Sequence, residues 1–195
     1  MPRIAATLAI ACLVALAATV TLAMAKPRTF DNTELKYSVT VPGECRVQEG
    51  PGTLEAICAP DFDEARSAEI PTATALLLEV DAEPVPSDAK AVYGEAEFRR
   101  EVPEAVCGES DNTKVKIANL KETKDGNTTT FSASVVCPEI KFLGLQERRA
   151  EVRYIIAPNY RYRLMARAPA SATDAVKAAI ETFLQSFKAT AEKKS

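Results

Sequence analysis

Apolar and polar positions alternate most clearly between Glu147 and Lys188. Along Arg149-Ala-Glu-Val-Arg-Tyr-Ile-Ile-Ala157 the even positions Ala150, Val152, Tyr154 and Ile156 are apolar, and the odd positions Arg149, Glu151 and Arg153 are charged, the period of a strand. The pattern resumes after Pro158-Asn159, with Tyr160, Tyr162, Leu164 and Ala166 on one parity and Arg161, Arg163 and Arg167 on the other. Burying a single apolar face requires even positions to oppose even ones. That predicts the three-residue connection Ala157-Pro158-Asn159 and excludes a two-residue Pro-Asn turn, which would carry arginines to the core side. The period then changes. Pro169 blocks earlier helical entry, Ser171 is placed to cap a helix with Asp174 three residues on, and Val176, Ile180, Phe183, Leu184 and Phe187 fall on one face.

Upstream, Lys36-Tyr-Ser-Val-Thr-Val41 alternates, with Tyr37, Val39 and Val41 on one side, and ends at Pro42-Gly43, which predicts a strand. The stretch from Cys45 to Cys58 folds back on Pro51-Gly52 as a hairpin. Its 50/53 pair is hydrogen-bonded and its 49/54, 47/56 and 45/58 pairs are the closer non-hydrogen-bonded ones, although Pro-Gly favours a type II turn that suits a tight hairpin poorly. Thr72 to Val80 contains Ala75-Leu-Leu-Leu78, the expectation for a central strand covered on both faces, broken off by Pro84 and Pro86. Ser87 caps a helix from Asp88 to about Val102 in which Ala89, Val92, Tyr93 and Ala96 share a face, Gly94 weakens the middle and Pro103 limits the end. Lys114 to Lys121 and Thr128 to Cys137 are two strands around Lys124-Asp-Gly-Asn127. A turn on Asp125-Gly126 sets Phe131 opposite Leu120 but Val135 opposite Lys116, a mismatch that a longer loop repairs. The element order predicts an α+β fold, an antiparallel β-sheet flanked by two α-helices, as a single domain over residues 26–188 with a frayed tail over 189–195.

Composition changes this picture first at the N-terminus. Met1-Pro-Arg3 precedes an apolar, alanine-rich run from Ile4 to Ala25 that ends in Ala23-Met24-Ala25, the layout of a secretory signal peptide over residues 1–25. The run is also long enough for an uncleaved membrane anchor. With 24 basic and 27 acidic residues, no positive excess points to nucleic acid. Beyond the leader lie Cys45, Cys58, Cys107 and Cys137, an even number in an exported chain, which predicts two disulfides. The hairpin brings Cys45 opposite Cys58, and Cys107 pairs with Cys137 by elimination.

The absence of histidine and tryptophan excludes Ser-His-Asp and Cys-His catalysis, histidine metal sites and tryptophan stacking. No dinucleotide, P-loop or EF-hand motif is present. Catalysis, a cofactor and a metal are therefore not expected. Four features stay open. Arg149 and Arg153, set opposite Arg167 and Arg163 with Arg161 opposite Ile155, form an outward arginine stripe for an acidic partner or anion, unless Glu95, Glu97 and Glu101 of the middle helix pair with it. Asp61-Phe-Asp-Glu64 has the oxygens for a hard cation, or is a solvated acidic loop. Ile140-Lys-Phe-Leu-Gly-Leu145 is a partner-docking loop or a lid over the core. Asn127-Thr-Thr129 matches the N-glycosylation pattern.

The aromatic-initiated strand ending in Pro42-Gly43, the middle helix before a glycine-centred hairpin, the strand Tyr160-Arg-Tyr-Arg-Leu-Met165 and the closing Phe183-Leu-Gln-Ser-Phe187 together resemble the PsbP/Mog superfamily, including bacterial DcrB-like periplasmic proteins. The resemblance covers most of Tyr37 to Lys188 through core and capping residues. It implies an antiparallel sheet flanked by helices that serves as a binding or assembly module, in a superfamily whose partners range from photosystem II to a Ran-type GTPase. The expectation is a secreted, periplasmic, non-catalytic module contacting an envelope protein or other partner. No stable membrane insertion is expected after signal cleavage. The alternatives are a small-ligand carrier with a pocket between sheet and helix, rimmed by Tyr154, Tyr160 or Tyr162, and, third, a histidine-free hydrolase.

Overall fold

Tyr37, Val39 and Val41 all point to one side of a five-residue strand and are buried there, the inner row of the smaller of two sheets. The computed structural model describes residues 26–58, 75–85, 93–108, 114–139 and 147–190. The leader, the Asp61–Glu64 run, the Ser87 cap and the Ile140–Leu145 segment lie outside the described residues.

The strands β1 (Arg28–Asn32), β2 (Tyr37–Val41) and β10 (Lys188–Ala189) form one antiparallel sheet in the order β1-β2-β10. The second sheet contains β3 (Arg46–Gly50), β4 (Thr53–Cys58), β5 (Leu76–Pro84), β6 (Lys116–Asp125), β7 (Thr128–Cys137), β8 (Arg148–Ile156) and β9 (Tyr160–Pro169). Its order is β3-β4-β5-β9-β8-β7-β6, antiparallel at every pairing. Helices α1 (Glu95–Cys107) and α2 (Asp174–Ser186) complete the α+β architecture.

The two helices pack on opposite faces of the large sheet. On one face Val176, Ile180, Phe183 and Leu184 of α2 join Leu54, Leu78, Val80, Tyr162, Leu164 and the inner row of β2. On the other, Phe98, Val102 and Val106 of α1 join Phe131, Val135, Val152, Tyr154 and Met165. Each fully buried side chain of this size contributes about 1.5–3 kcal/mol before conformational entropy is subtracted.

This double cover overturns the expected connection between β8 and β9. The pairing runs Ile156↔Arg161, Tyr154↔Arg163 and Ala150↔Arg167, so even positions oppose odd ones. The Ala157 N–H donates to the Tyr160 carbonyl at 2.9 Å, closing the two-residue Pro158-Asn159 turn. The parity rule assumed one buried face. With both faces covered, β8 sends Ala150, Val152 and Tyr154 toward α1, whereas β9 sends Tyr162, Leu164 and Ala166 toward α2. Strand β5 buries Leu76, Leu78, Val80 and Ala82 on its α2 side; on the other, Leu77 packs against Ile57 and Ala75, and Glu79 and Asp81 follow it.

The first hairpin pairs as expected, with Gly50↔Thr53, Glu49↔Leu54 and Val47↔Ala56. Cys45 and Cys58 are disulfide-bonded at a Cα separation of 4.1 Å, and Cys107 is bonded to Cys137. Gly52 has φ +81°, the left-handed conformation that a type II turn demands at its second central residue. Between β6 and β7 the turn is Gly126-Asn127, with Asp125↔Thr128, and the mismatch is repaired by a bulge between Ala118 and Lys121 that brings Ile117 opposite Val135.

Other boundaries differ from expectation. Helix α1 begins at Glu95, with Gly94 as its N-cap and the Glu97 carboxylate accepting from the Gly94 N–H at 3.0 Å. It continues through Pro103, flanked by the buried Val102 and Val106, to Cys107, which the disulfide ties to β7. Helix α2 is capped by Thr173, whose hydroxyl accepts from Val176 N–H at 3.4 Å, rather than by Ser171. Residues 189 and 190 are not frayed: Ala189 pairs with Tyr37, and Thr190 N–H donates to the Lys36 carbonyl at 2.7 Å.

Candidate functional site

The five arginines expected to share one face are divided by the sheet. Arg161, Arg163 and Arg167 of β9 project to the α1 side, where β5 presents Glu79, Asp81 and Glu83. Asp81 is the direct cross-strand neighbour of Arg163, and Glu83 that of Arg161. Arg163 contacts the Asp81 carboxylate and lies 3.6 Å from Glu79, and Arg167 reaches Glu79 at 3.0 Å. Arg161 pairs with Glu83 and lies 3.5 Å from Glu101 of α1. The acids thus come mainly from β5. Of Glu95, Glu97 and Glu101, only Glu101 reaches this arginine row among the described residues.

Burial sets the electrostatics of this ladder. Glu79 is raised above the ordinary glutamate range by desolvation and then by Asp81, against the opposing pull of Arg167 and Arg163. Desolvation works against the Arg163 charge, but Asp81, Tyr154 and Glu79 outweigh it, so its net shift is upward. The Tyr93 hydroxyl donates to Glu101 at 3.1 Å, and burial, followed by Glu101, holds its proton more firmly than in a free tyrosine. Tyr93 also stacks on Tyr154 and lies under the Arg161 guanidinium, 5.4 Å from ring to cation.

Next to the ladder is a cleft of about 270 Å³ lined by Pro51, Gly52, Thr53, Glu101, Tyr154 and the charged ends of β5 and β9. Its two arginines pair with its three carboxylates, which makes it a polar surface whose charges are largely engaged with one another. Among the described residues no group of three or more cysteine, aspartate or glutamate side chains is arranged to hold a metal ion.

Arg149 and Arg153 project to the opposite face, where their neighbours are Ala168 and Leu164 of β9. Arg149 is exposed. Arg153 is half-buried and donates to the Leu184 carbonyl at 2.6 Å, satisfying one of the last open carbonyls of α2, and desolvation lowers its pKa. Glu151 lies between the two arginines, accepts from the Ser134 hydroxyl at 2.9 Å and is raised above its ordinary range by burial.

The three tyrosines expected to rim a pocket do not share one. Tyr154 faces α1. Tyr162 is packed between Tyr37 and Phe187 and directs its hydroxyl at the Leu35 and Lys36 carbonyls, 3.0 and 3.2 Å away; Tyr160 donates to the Glu34 carbonyl. The signal that sequence reasoning missed is the Glu79-x-Asp81-x-Glu83 spacing in β5, which complements Arg161-x-Arg163.

No protein-family profile matches the chain, and no curated protein matches its sequence. Solved structures match its fold. The solution structure of cyanobacterial PsbP (CyanoP) from Synechocystis sp. PCC 6803 aligns with a TM-score of 0.57 at 14% identity, covering 89% of this chain and 98% of that one. The crystal structure of LpqN from Mycobacterium tuberculosis, a protein described as involved in cell envelope biogenesis, aligns with a TM-score of 0.55 at 9% identity, covering 85% of this chain and 91% of that one. The chain has a PsbP-like fold.

Proposed function

We propose that the protein is a non-catalytic binding or assembly module that works outside the cytoplasm, in the periplasm, on an envelope protein. The observation that carries this reading is the distribution of cover on the large sheet. Among the described residues, packed side chains line the layers under both helices and the β9 arginines are spent on the β5 acids, yet the α2 side of β6, β7 and the first half of β8 presents polar side chains alongside α2, whose last turn Arg153 caps through the Leu184 carbonyl. A sheet stapled at two places by disulfides is a rigid platform for such a surface. The disulfides and the apolar leader both fit an oxidising, extracytoplasmic compartment. The PsbP-like fold and the envelope role described for LpqN are consistent with the same assignment.

The test is cross-linking of the protein at native abundance in its own cells, with mass spectrometry of the linked peptides and native mass spectrometry of the purified protein. A discrete protein partner linked through surface lysines is expected. A stoichiometric small molecule carried through purification, with no linked protein, would replace the module with a carrier.

A further inference from the structure

Resting on that reading, we propose that the α2-side face of β6–β7–β8 binds an extended protein segment whose carboxylates are spaced four residues apart. Three cross-strand rows build the face. The first is Lys116, Val136 and Arg149; the second is Ala118, Ser134 and Glu151; the third is Lys121, Ser132 and Arg153. Residues directly opposed in an antiparallel sheet share a face, so each outer row sets a lysine and an arginine on either side of a shorter side chain of β7. Four cations stand against one carboxylate in these rows, a local excess of three positive charges on a chain whose net charge is −3. Lys116, Lys121 and Arg149 take part in no ion pair among the described residues, unlike the β9 arginines. Beyond these rows the nearest carboxylates in register with this face are Glu147, two residues before Arg149, and Asp125, two rows past Lys121 at the β6–β7 turn.

The bulge in β6 makes the arrangement possible. Lys116 and Lys121 have opposite parity and would point to opposite faces of a regular strand; the extra residue between Ala118 and Lys121 returns them to the same one. Exposed lysines and a bulge also guard an edge strand against further pairing, and β6 is an edge. That role does not account for the arginines two strands inward.

Spacing selects the occupant. At about 3.4 Å per residue and about 4.8 Å between strands, the outer rows lie about 13 Å apart and the lysine and arginine columns about 10 Å apart. Val136, Ser134 and Ser132 form a low track between those columns. An extended peptide on this track directs every second side chain down, and its residues i and i+4 lie about 13 Å apart. Carboxylates there fall between Lys116 and Arg149 and between Lys121 and Arg153. The residue at i+2 falls beside Glu151, which repels a third acid. The best ligand is therefore acid-x-neutral-x-acid.

The experiment is fluorescence anisotropy with the purified full chain and labelled peptides containing Glu-x-Gln-x-Glu, Glu-x-Glu-x-Glu, or the first composition scrambled to bring the acids together. The first peptide is expected to bind best, about tenfold more weakly after the paired change Lys116→Glu and Arg149→Glu, and more weakly in high salt. Both changed side chains are exposed, and an unaltered circular dichroism spectrum and melting temperature establish that the variant is folded. Equal binding of all three peptides, binding indifferent to the paired change, or no binding at millimolar peptide overturns the proposal. So does charge-dependent binding to anionic phospholipid vesicles in place of peptide. A cross-linked partner retained by the Lys116→Glu, Arg149→Glu variant would reject this surface and leave the module reading standing.

Discussion

The β5–β9 charge ladder makes a quantitative claim. Arg163 and Asp81 are in contact, and their side chains are only 31% and 26% exposed. Two unit charges about 4 Å apart interact by about 4 kcal/mol at an effective dielectric constant of about 20, and desolvation removes a large part of that. Asp81→Asn leaves Arg163 with Glu79, 3.6 Å away, as a partner, and is expected to cost about 1–2 kcal/mol. Arg163→Met leaves Asp81 and Glu79 on one face of β5 with Arg167 still bound to Glu79, so a cost of about 2–3 kcal/mol is expected. The double variant removes one charge of each sign and should be more stable than the sum of the singles predicts by about 1 kcal/mol or more. Urea titrations at neutral pH with both disulfides oxidised, followed by far-ultraviolet circular dichroism, measure all four corners. The coupling should persist in about 1 M salt, because partly buried charges are screened less than exposed ones. Single costs that add to within about 0.3 kcal/mol would show that the ladder does not act as a unit and would refute the reasoning.

Three further outcomes are expected. Replacing Cys107 and Cys137 by serine should cost more than replacing Cys45 and Cys58, because the loops span 30 and 13 residues, about 4 against about 3 kcal/mol on chain entropy; chemical denaturation of the two double variants checks the order. Burial raises Glu151, so its contribution to stability is fully present below the ordinary glutamate pKa of about 4.3 and is lost as pH rises through the folded value. Wild type should therefore lose ground to Glu151→Gln as pH rises from about 4 toward neutrality, and a difference of opposite slope would remove this assignment. Tyr162→Phe should cost about 1 kcal/mol or more through the lost hydrogen bond to the β1–β2 turn. Burial pushes the Tyr162 hydroxyl up to about 12, so its advantage holds below the ordinary tyrosine pKa of about 10 and should vanish as pH rises through the folded value, as alkaline unfolding of the two proteins would show.

What was legible in the chain follows the strength of local signals. The Pro51-Gly52 hairpin carries its own register and its own disulfide, and Val176, Ile180, Phe183 and Leu184 mark their helical face without ambiguity. Strand β1 escapes notice because Phe30 is its only large apolar residue; pairing with β2 makes it a strand, and propensity does not. Strand β10 is two residues held by the same partner. Gly94 weakens a helix interior but serves as a cap, so the residue taken to disrupt α1 begins it. The bulge in β6 leaves no pattern of its own, apart from the pairing mismatch that it resolves.

The decisive ambiguity was one residue of loop. A three-residue connection after Ile156 sets Arg149 and Arg153 beside Arg167 and Arg163 as an outward stripe. The two-residue turn moves every β9 side chain to the other face. Met165, buried against α1 among three arginines, is the residue that reports this, because an outward strand face has no use for it. Once β9 is inverted, its arginines meet the acids of β5 and are consumed by structure, whereas Arg149 and Arg153 remain with β6 and β7 on the other face, Arg149 exposed and Arg153 at the edge of α2. A charge pattern read from sequence as one functional stripe therefore divides into a paired ladder that holds the sheet together and a shorter basic patch, and of the two it is the patch that keeps charge to offer a partner.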